Sequence, residues 1–81
     1  MITSGQIKAA RALVDWTARN LAEKAEIGFS TLIRLESADG VPAGNIKTIE
    51  AIKKALELAG IEFIGTPDDR PGVRLNVSNK P

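Results

Sequence analysis

The side chains that usually perform acid–base or metal chemistry are missing from this sequence. Its 81 residues include no histidine, cysteine or tyrosine, so the commonest general base and the commonest nitrogen and sulfur metal ligands are absent. The remaining carboxylates, lysines and serines are not clustered along the chain as an activated nucleophile requires. We therefore expect a protein that is not an enzyme and that binds no metal and no cofactor.

Hydrogen bonding is the chemistry that remains, and three side chains are well placed for it. Arg34 can form two parallel hydrogen bonds with the edge of a guanine, it can contact a phosphate, or it can pair with Glu36 or Asp39. Ser30 can contact a phosphate or a base edge, or it can cap the first turn of its own helix. Arg19 can contact a phosphate, or it is an ordinary solvated charge.

Net charge gives little support to binding of a polyanion. Eleven basic residues face ten acidic ones, a net charge of +1, whereas proteins that neutralise phosphates normally have a basic surface. A positive surface must therefore arise from the arrangement of charges on the faces of the structural elements.

Apolar residues at helical spacing predict four helices to position these side chains, at about 4–14, 18–25, 29–37 and 46–59. Thr3 with Gln6, then Thr17, Gly28 and Asn45 are predicted to begin them. Trp16 is predicted to be a buried plug between the first two helices. The residues predicted to face the core are Ile7, Ala10, Leu13, Val14, Leu21, Ala22, Thr31, Leu32, Leu35, Ile46, Ile49, Ile52, Leu56 and Ala59.

The stretch from Thr17 to Ser37 combines two of these helices with a tight turn at 26–28. Leu21 and Leu32 lie on the predicted inner faces, and the second helix keeps an exposed outer face. Such a unit presents a helix to the major groove of DNA. Residues 17–37 are therefore predicted to form a helix-turn-helix motif. The outer residues of its second helix are Phe29, Ser30, Ile33 and Arg34.

After Gly60 the apolar period changes from helical to alternating. Residues 61–64 and 73–77 are predicted strands, and the intervening Gly65–Gly72 segment is rich in turn residues. Because open strand edges can pair with a second copy, we expect a homodimer formed through residues 61–77, with the fourth helix adding apolar contact. The alternative is a monomer whose hairpin packs on the first and fourth helices. Residues 78–81 are expected to fray.

Five segments in this order resemble the Cro and phage-repressor class, and in particular small bacterial regulators of the xenobiotic-response-element type. They are ARALVDWT, LAEKAEI, STLIRLE, a loop containing VP, and ALELAGIEFI; the ending GIEFI…PGVRL is also similar to that of short members. The resemblance extends from Gln6 to about Ala59. It implies a mainly α protein with a four-helix, phage-repressor-like domain over residues 1–60, followed by a C-terminal β-hairpin or dimerising strands.

Members of this class bind operator DNA, usually as homodimers. The resemblance places base-reading positions at Ala18, Gly28, Phe29, Ser30, Ile33 and Arg34. Thr17 and Arg19 lie at the start of the second helix, whose amino end usually abuts a phosphate, so both can contact that phosphate; the alternative for Thr17 is the cap alone. The sequence departs from the class at Ala18, where glutamine is common, at Glu26, where glycine is usual, and at Phe29 and Ile33, where polar residues are usual. Phe29 can contact a thymine methyl group, fold over the turn or contact a protein, and the same alternatives apply to Ile33.

Two functions follow as expectations. The first is a sequence-specific regulator of transcription that binds double-stranded DNA, in the manner of a repressor. The alternative is a protein-interaction module on the same scaffold, such as an antitoxin-like or adaptor subunit. No secretory signal and no apolar run of about 18 residues are present, so a cytoplasmic protein without a membrane partner is expected.

Overall fold

The computed structural model describes residues 1–76 and confirms four helices followed by an antiparallel hairpin. The predicted frayed tail, residues 78–81, and Val77 of the predicted second strand lie outside the described residues. No helix within residues 1–76 combines the length and apolar character needed to cross a membrane. The elements are α1 (Ser4–Leu13), α2 (Ala18–Ala25), α3 (Phe29–Glu36), α4 (Ile46–Leu58), β1 (Ile61–Thr66) and β2 (Asp69–Leu75).

Side-chain caps determine where three of the helices begin. Thr3 and Gln6 form a reciprocal capping box at α1, and Thr17 with Asn20 forms another at α2. At α4, the Asn45 side chain accepts a hydrogen bond of 2.8 Å from the amide of Lys47. Each cap satisfies backbone donors that have no partner inside the helix. The predicted starting points of these helices are thereby confirmed.

The core lies between the four helices and the first strand. Leu13 and Ile46 were predicted to belong to it, but they are 45% and 61% exposed. Leu13 is the last residue of α1 and Ile46 the first of α4. Both side chains therefore lie beyond the packed core, although their spacing along the helix matches that of the buried residues. The buried apolar residues are Ile2, Ile7, Ala10, Leu21, Ala22, Ala25, Leu32, Leu35, Ile49, Ile52, Ala55, Leu56 and Ile61.

The end of α1 corrects the prediction for Trp16. Asp15 adopts a left-handed backbone with φ of 60°, and the Trp16 amide donates to the carbonyl of Arg11 at 3.0 Å, a closure typical of helix ends. The indole is only half-buried, and it borders a surface depression with Leu58 of α4 and Ala59, the C-cap of that helix. It therefore covers an edge of the core and does not plug the space between α1 and α2.

The hairpin is longer than the sequence predicted. Its strands pair from Ile61 opposite Leu75 to Thr66 opposite Asp69, so only residues 67 and 68 form the turn. The prediction of a loop from Gly65 to Gly72 was wrong because this segment pairs around a bulge. Gly65 has φ of 75°, and a Cβ atom there would collide with the carbonyl oxygen of Arg70. Only glycine fits this bulge.

Gln6 attaches the hairpin to α1. Its side-chain nitrogen donates to the carbonyls of Ile64 and Gly72 at 3.1 and 2.8 Å, while its side-chain oxygen accepts from the Thr3 amide. The side-chain amide group of Gln6 thus completes the α1 cap and binds one carbonyl of each strand. Phe63, Val73 and Leu75 supply the partly buried apolar contact beneath.

Candidate nucleic-acid interface

The outer face of α3 carries the side chains predicted to contact DNA. Phe29 and Ile33 are 38% and 40% exposed, and Ser30 and Arg34 are exposed as well. On the opposite face Leu32 and Leu35 are fully buried. Because residues four apart lie one above the other on a helix, Phe29 and Ile33 form an apolar strip beside a polar strip of Ser30 and Arg34.

A tight turn between α2 and α3 holds this face outward. Glu26 ends α2 in the left-handed conformation with φ of 59°, and the Ile27 amide donates to the carbonyl of Ala22 at 3.0 Å. Gly28 is the N-cap of α3 and has no side-chain hydrogen bond to offer. The first amides of α3 are consequently left without a side-chain cap beside the exposed Ser30.

Arg19 and Phe29 bring the start of α2 against the start of α3. The guanidinium carbon of Arg19 lies 4.3 Å from the centre of the Phe29 ring, within the range of a cation–π interaction. This contact covers part of the ring and holds a positive charge beside the outer face of α3. Sequence reasoning missed it because the two residues are ten positions apart and no local spacing links them.

Arg34 keeps its guanidinium available. Glu36 and Asp39 were its candidate partners from the sequence, but Glu36 is engaged elsewhere, and Arg34 forms no ion pair within residues 1–76. The Ser30 hydroxyl likewise has no hydrogen-bond partner in that part of the chain, so the alternative in which it caps α3 is not observed. Both groups are thus free to contact a ligand.

Glu36 is held by Arg11 in a bidentate pair that joins α1 to the end of α3. Arg11 Nε donates to Oε2 at 2.8 Å and Nη2 to Oε1 at 3.1 Å, while Nη1 donates to the carbonyl of Trp16 at 3.1 Å. The Glu36 side chain is only 7% exposed. Arg11 is therefore engaged in positioning α3.

The other predicted site residues differ in the polar groups that they can present to a ligand. The Thr17 hydroxyl accepts the amide of Asn20 at 3.0 Å, which leaves its own proton for an outside acceptor. Ala18 is half-buried and packs against the core, so it adds no polar contact. The site that the structure brings together therefore consists of Arg19, Phe29, Ser30, Ile33 and Arg34.

The described part of the chain contains no cluster of three or more residues that could hold a metal ion. A comparison with known protein families finds no match, and a comparison with characterised proteins finds none either. Function must consequently be inferred from the geometry of the α3 face.

Proposed function

We propose that this protein is a sequence-specific DNA-binding regulator, similar to small Cro and phage-repressor regulators, that acts in the cytoplasm as a repressor. The observation that carries the proposal is the exposed outer face of α3, where Ser30 and Arg34, which have no side-chain partner within residues 1–76, lie beside an apolar strip. A helix with its base-contacting side chains on one outer face is what the major groove accepts.

Each part of the face has a place in such a complex. Arg34 would form two hydrogen bonds with guanine, and Ser30 would contact a base edge or a phosphate. Phe29 and Ile33 would lie against thymine methyl groups. Arg19 and the Thr17 hydroxyl, at the start of α2, would contact the backbone of the same strand and fix the register of α3.

We further propose that the protein binds as a homodimer. The chain measures 34 × 30 × 19 Å, so two copies side by side can place equivalent helices about 34 Å apart, one turn of DNA. A twofold dimer then requires a nearly palindromic site. The sequence assigned the contact to residues 61–77, and the described strands β1 and β2 supply the open edges for it.

Selection of bound sequences from a random duplex pool tests this proposal. The parent protein should enrich one nearly palindromic sequence. Arg34→Glu should abolish the enrichment, whereas Lys54→Glu, the same charge change on the exposed side of α4, should preserve it. The absence of any enriched sequence with the parent protein would refute the proposal.

One observation favours a second candidate function. Phe29 and Ile33 place two large apolar side chains in the middle of an exposed face, and such surfaces often bind proteins. The protein would then be an antitoxin-like or adaptor subunit. This alternative is favoured if affinity capture retains one stoichiometric protein and Ile33→Glu abolishes that capture. The duplex selection should then fail.

A further inference from the structure

Ser4 carries a buried hydroxyl that contacts the end of α3. Only 1% of Ser4 is exposed, and its Oγ donates to the carbonyl oxygen of Leu35 at 2.8 Å. The hydroxyl has no part in starting its own helix, because Thr3 is the N-cap of α1 and supplies the capping oxygen. The Ser4 side chain is therefore available to hold a second element.

The carbonyl of Leu35 depends on this hydroxyl for its shorter hydrogen bond. It is one of the last carbonyls of α3, which have no amide partner further along the helix. The Ile33 carbonyl is satisfied locally, since it accepts the Ser37 hydroxyl at 2.8 Å and the Ser37 amide at 3.1 Å. The Leu35 carbonyl accepts the Ala38 amide at 3.4 Å, a long hydrogen bond. Its main support therefore comes from α1.

The backbone of Ser4 holds the chain just beyond α3. Its amide donates to the carbonyl of Gly40 at 2.9 Å. Residues 37–45 contain no helix or strand, so they give the end of α3 no regular support. A serine hydroxyl is separated from its own backbone by one rotatable bond, so both hydrogen bonds fix backbone against backbone. One residue of α1 thus attaches the end of α3 and the following loop at short range.

The ion pair of Arg11 and Glu36 joins the same two helices in a different way. Its contacts of 2.8 and 3.1 Å connect the ends of two long side chains. Such side chains can rotate about several bonds and stay paired while the two backbones move apart. The hydrogen bond from Ser4 to the Leu35 carbonyl permits no comparable movement, so it determines the position of the helix end more closely.

We propose that Ser4 is a positioning residue for Arg34. This role rests on the proposed DNA-binding function and deepens it. Arg34 directly precedes Leu35, so a fixed Leu35 carbonyl determines where the Arg34 backbone lies on the outer face. Paired hydrogen bonds to the edge of a guanine require a binding group to be held within about 0.5 Å. Ser4 therefore contributes to base selection without contacting DNA.

The start of α3 is held by other contacts. The turn at 26–28 joins it to α2, and the Arg19 guanidinium carbon lies 4.3 Å from the centre of the Phe29 ring. Loss of the Ser4 hydroxyl should consequently affect the base pair that Arg34 contacts and spare those contacted by Phe29 and Ser30. A general loss of structure would affect all of them.

Ser4→Ala tests this role directly. The variant keeps the amide that binds Gly40, and alanine is a good helix former, so only the hydroxyl is lost. Affinities are measured for the selected duplex and for duplexes with each other base at the position that Arg34→Ala makes tolerant. The preference for guanine there should fall about tenfold, most of what a bidentate contact contributes. An unchanged guanine preference would overturn the inference.

A double variant separates positioning from general destabilisation. If Ser4 acts through Arg34, adding Ser4→Ala to Arg34→Ala should change the affinity for the selected duplex by no more than about twofold. A smaller folded fraction would lower the affinity equally with and without Arg34. Equal losses in the two backgrounds would therefore show that Ser4 does not act through Arg34.

Ser37→Ala is the matched control. The Ser37 hydroxyl also donates to a carbonyl of α3 at 2.8 Å, that of Ile33, but it is exposed and connects α3 to no other helix. This variant should keep the guanine preference. If it loses as much as Ser4→Ala, attachment to α1 is not the cause.

A second substitution covers the case in which Ser4→Ala does not fold. Ser4→Cys, kept reduced, fills the space with a much weaker donor. Its guanine preference should also fall, and a preference equal to that of the parent would contradict the proposed role.

Hydrogen exchange tests the attachment without DNA. In Ser4→Ala the amides of Ser37 and Ala38 should exchange faster than in the parent, by a larger factor than the amide of Leu32. Equal acceleration along α3 would show that Ser4 does not hold its end. With DNA, a parent that enriches no duplex refutes the proposed function and this role together. An enriched duplex whose guanine preference survives in Ser4→Ala refutes only the role of Ser4.

Discussion

Arg34 is the single residue on which sequence discrimination should depend most. Replacing it with alanine removes the bidentate contact to guanine, which should weaken binding to the selected duplex by about 1–3 kcal/mol. It should also make one base-pair position tolerant of all four bases. Fluorescence anisotropy with the selected duplex and its single-position variants measures both effects. Lys54→Ala serves as the matched control and should change neither.

Phe29 gives a second prediction for a single side chain. If it buries a thymine methyl group, changing that thymine to uracil should weaken binding about fourfold, since a buried methyl-sized group contributes roughly 0.8 kcal/mol. Phe29→Ala should bind the thymine and uracil duplexes equally. A uracil effect that persists in Phe29→Ala would show that another side chain contacts the methyl group.

Elements, in contrast to single residues, are positioned by contacts that sequence spacing does not reveal. Helix starts were predictable because Thr3, Thr17 and Asn45 cap within three residues of themselves. The hairpin was shortened in the prediction because Gly65–Gly72 has turn composition, and nothing local indicates that Gln6 binds carbonyls 58 and 66 residues away. Local chemistry thus fixes the helix boundaries, and long-range hydrogen bonds extend the strands.

The candidate site also has one part that the sequence predicted and one part that it could not predict. Helical periodicity alone predicted that Phe29, Ser30, Ile33 and Arg34 share an outer face, and the structure confirms their exposure. The stacking of Arg19 on Phe29 depends on the angle between two helices. The spacing along either helix does not encode that angle, so this contact could not be predicted.

The pair of Arg11 and Glu36 should determine how firmly α3 is held. Arg11→Met leaves a buried carboxylate without its partner and should lower the free energy of unfolding by about 3 kcal/mol, as breaking buried ion pairs does. The double variant Arg11→Met, Glu36→Leu should recover most of that loss, because it removes the buried charge altogether. Urea denaturation of the three proteins is the measurement, and a double variant less stable than Arg11→Met would contradict the prediction.

The turn between α2 and α3 contains strain that glycine can relieve. Glu26 has φ of 59° and an exposed side chain, and a left-handed backbone costs a non-glycine residue about 1–2 kcal/mol. Glu26→Gly should therefore stabilise the protein, with a gain reduced by the added freedom of the unfolded chain. Calorimetry should find a melting temperature higher by about 4 °C for a net gain near 1 kcal/mol.

The matched control for this prediction is Glu23→Gly. Glu23 is also exposed but lies inside α2, where glycine costs roughly 1 kcal/mol relative to a good helix former. Its melting temperature should fall. If both variants change stability in the same direction, the left-handed conformation at Glu26 is not the cause.

For the whole molecule, the small net charge limits how strongly binding can depend on salt. The chain has a net charge of +1, Arg11 is paired with Glu36, and Arg19 is the cation that the proposed complex assigns to a phosphate. Each phosphate neutralised contributes about 0.9 to the slope of log affinity against log salt. With Arg19 as the phosphate contact of each protomer and Arg34 on a guanine, a dimer should have a slope of about −2, shallower than that of strongly basic DNA-binding proteins.

The same reasoning predicts which variant changes that slope. Arg19→Ala should reduce its magnitude by about 0.9 per protomer, roughly equally on the selected and on unrelated duplexes, because phosphates carry no sequence information. Lys54→Ala should leave the slope unchanged, since Lys54 lies on the outer side of α4. Titrations at several salt concentrations, with each duplex, give the slopes. A slope in Arg19→Ala equal to that of the parent would mean that Arg19 stays on the Phe29 ring and contacts no phosphate.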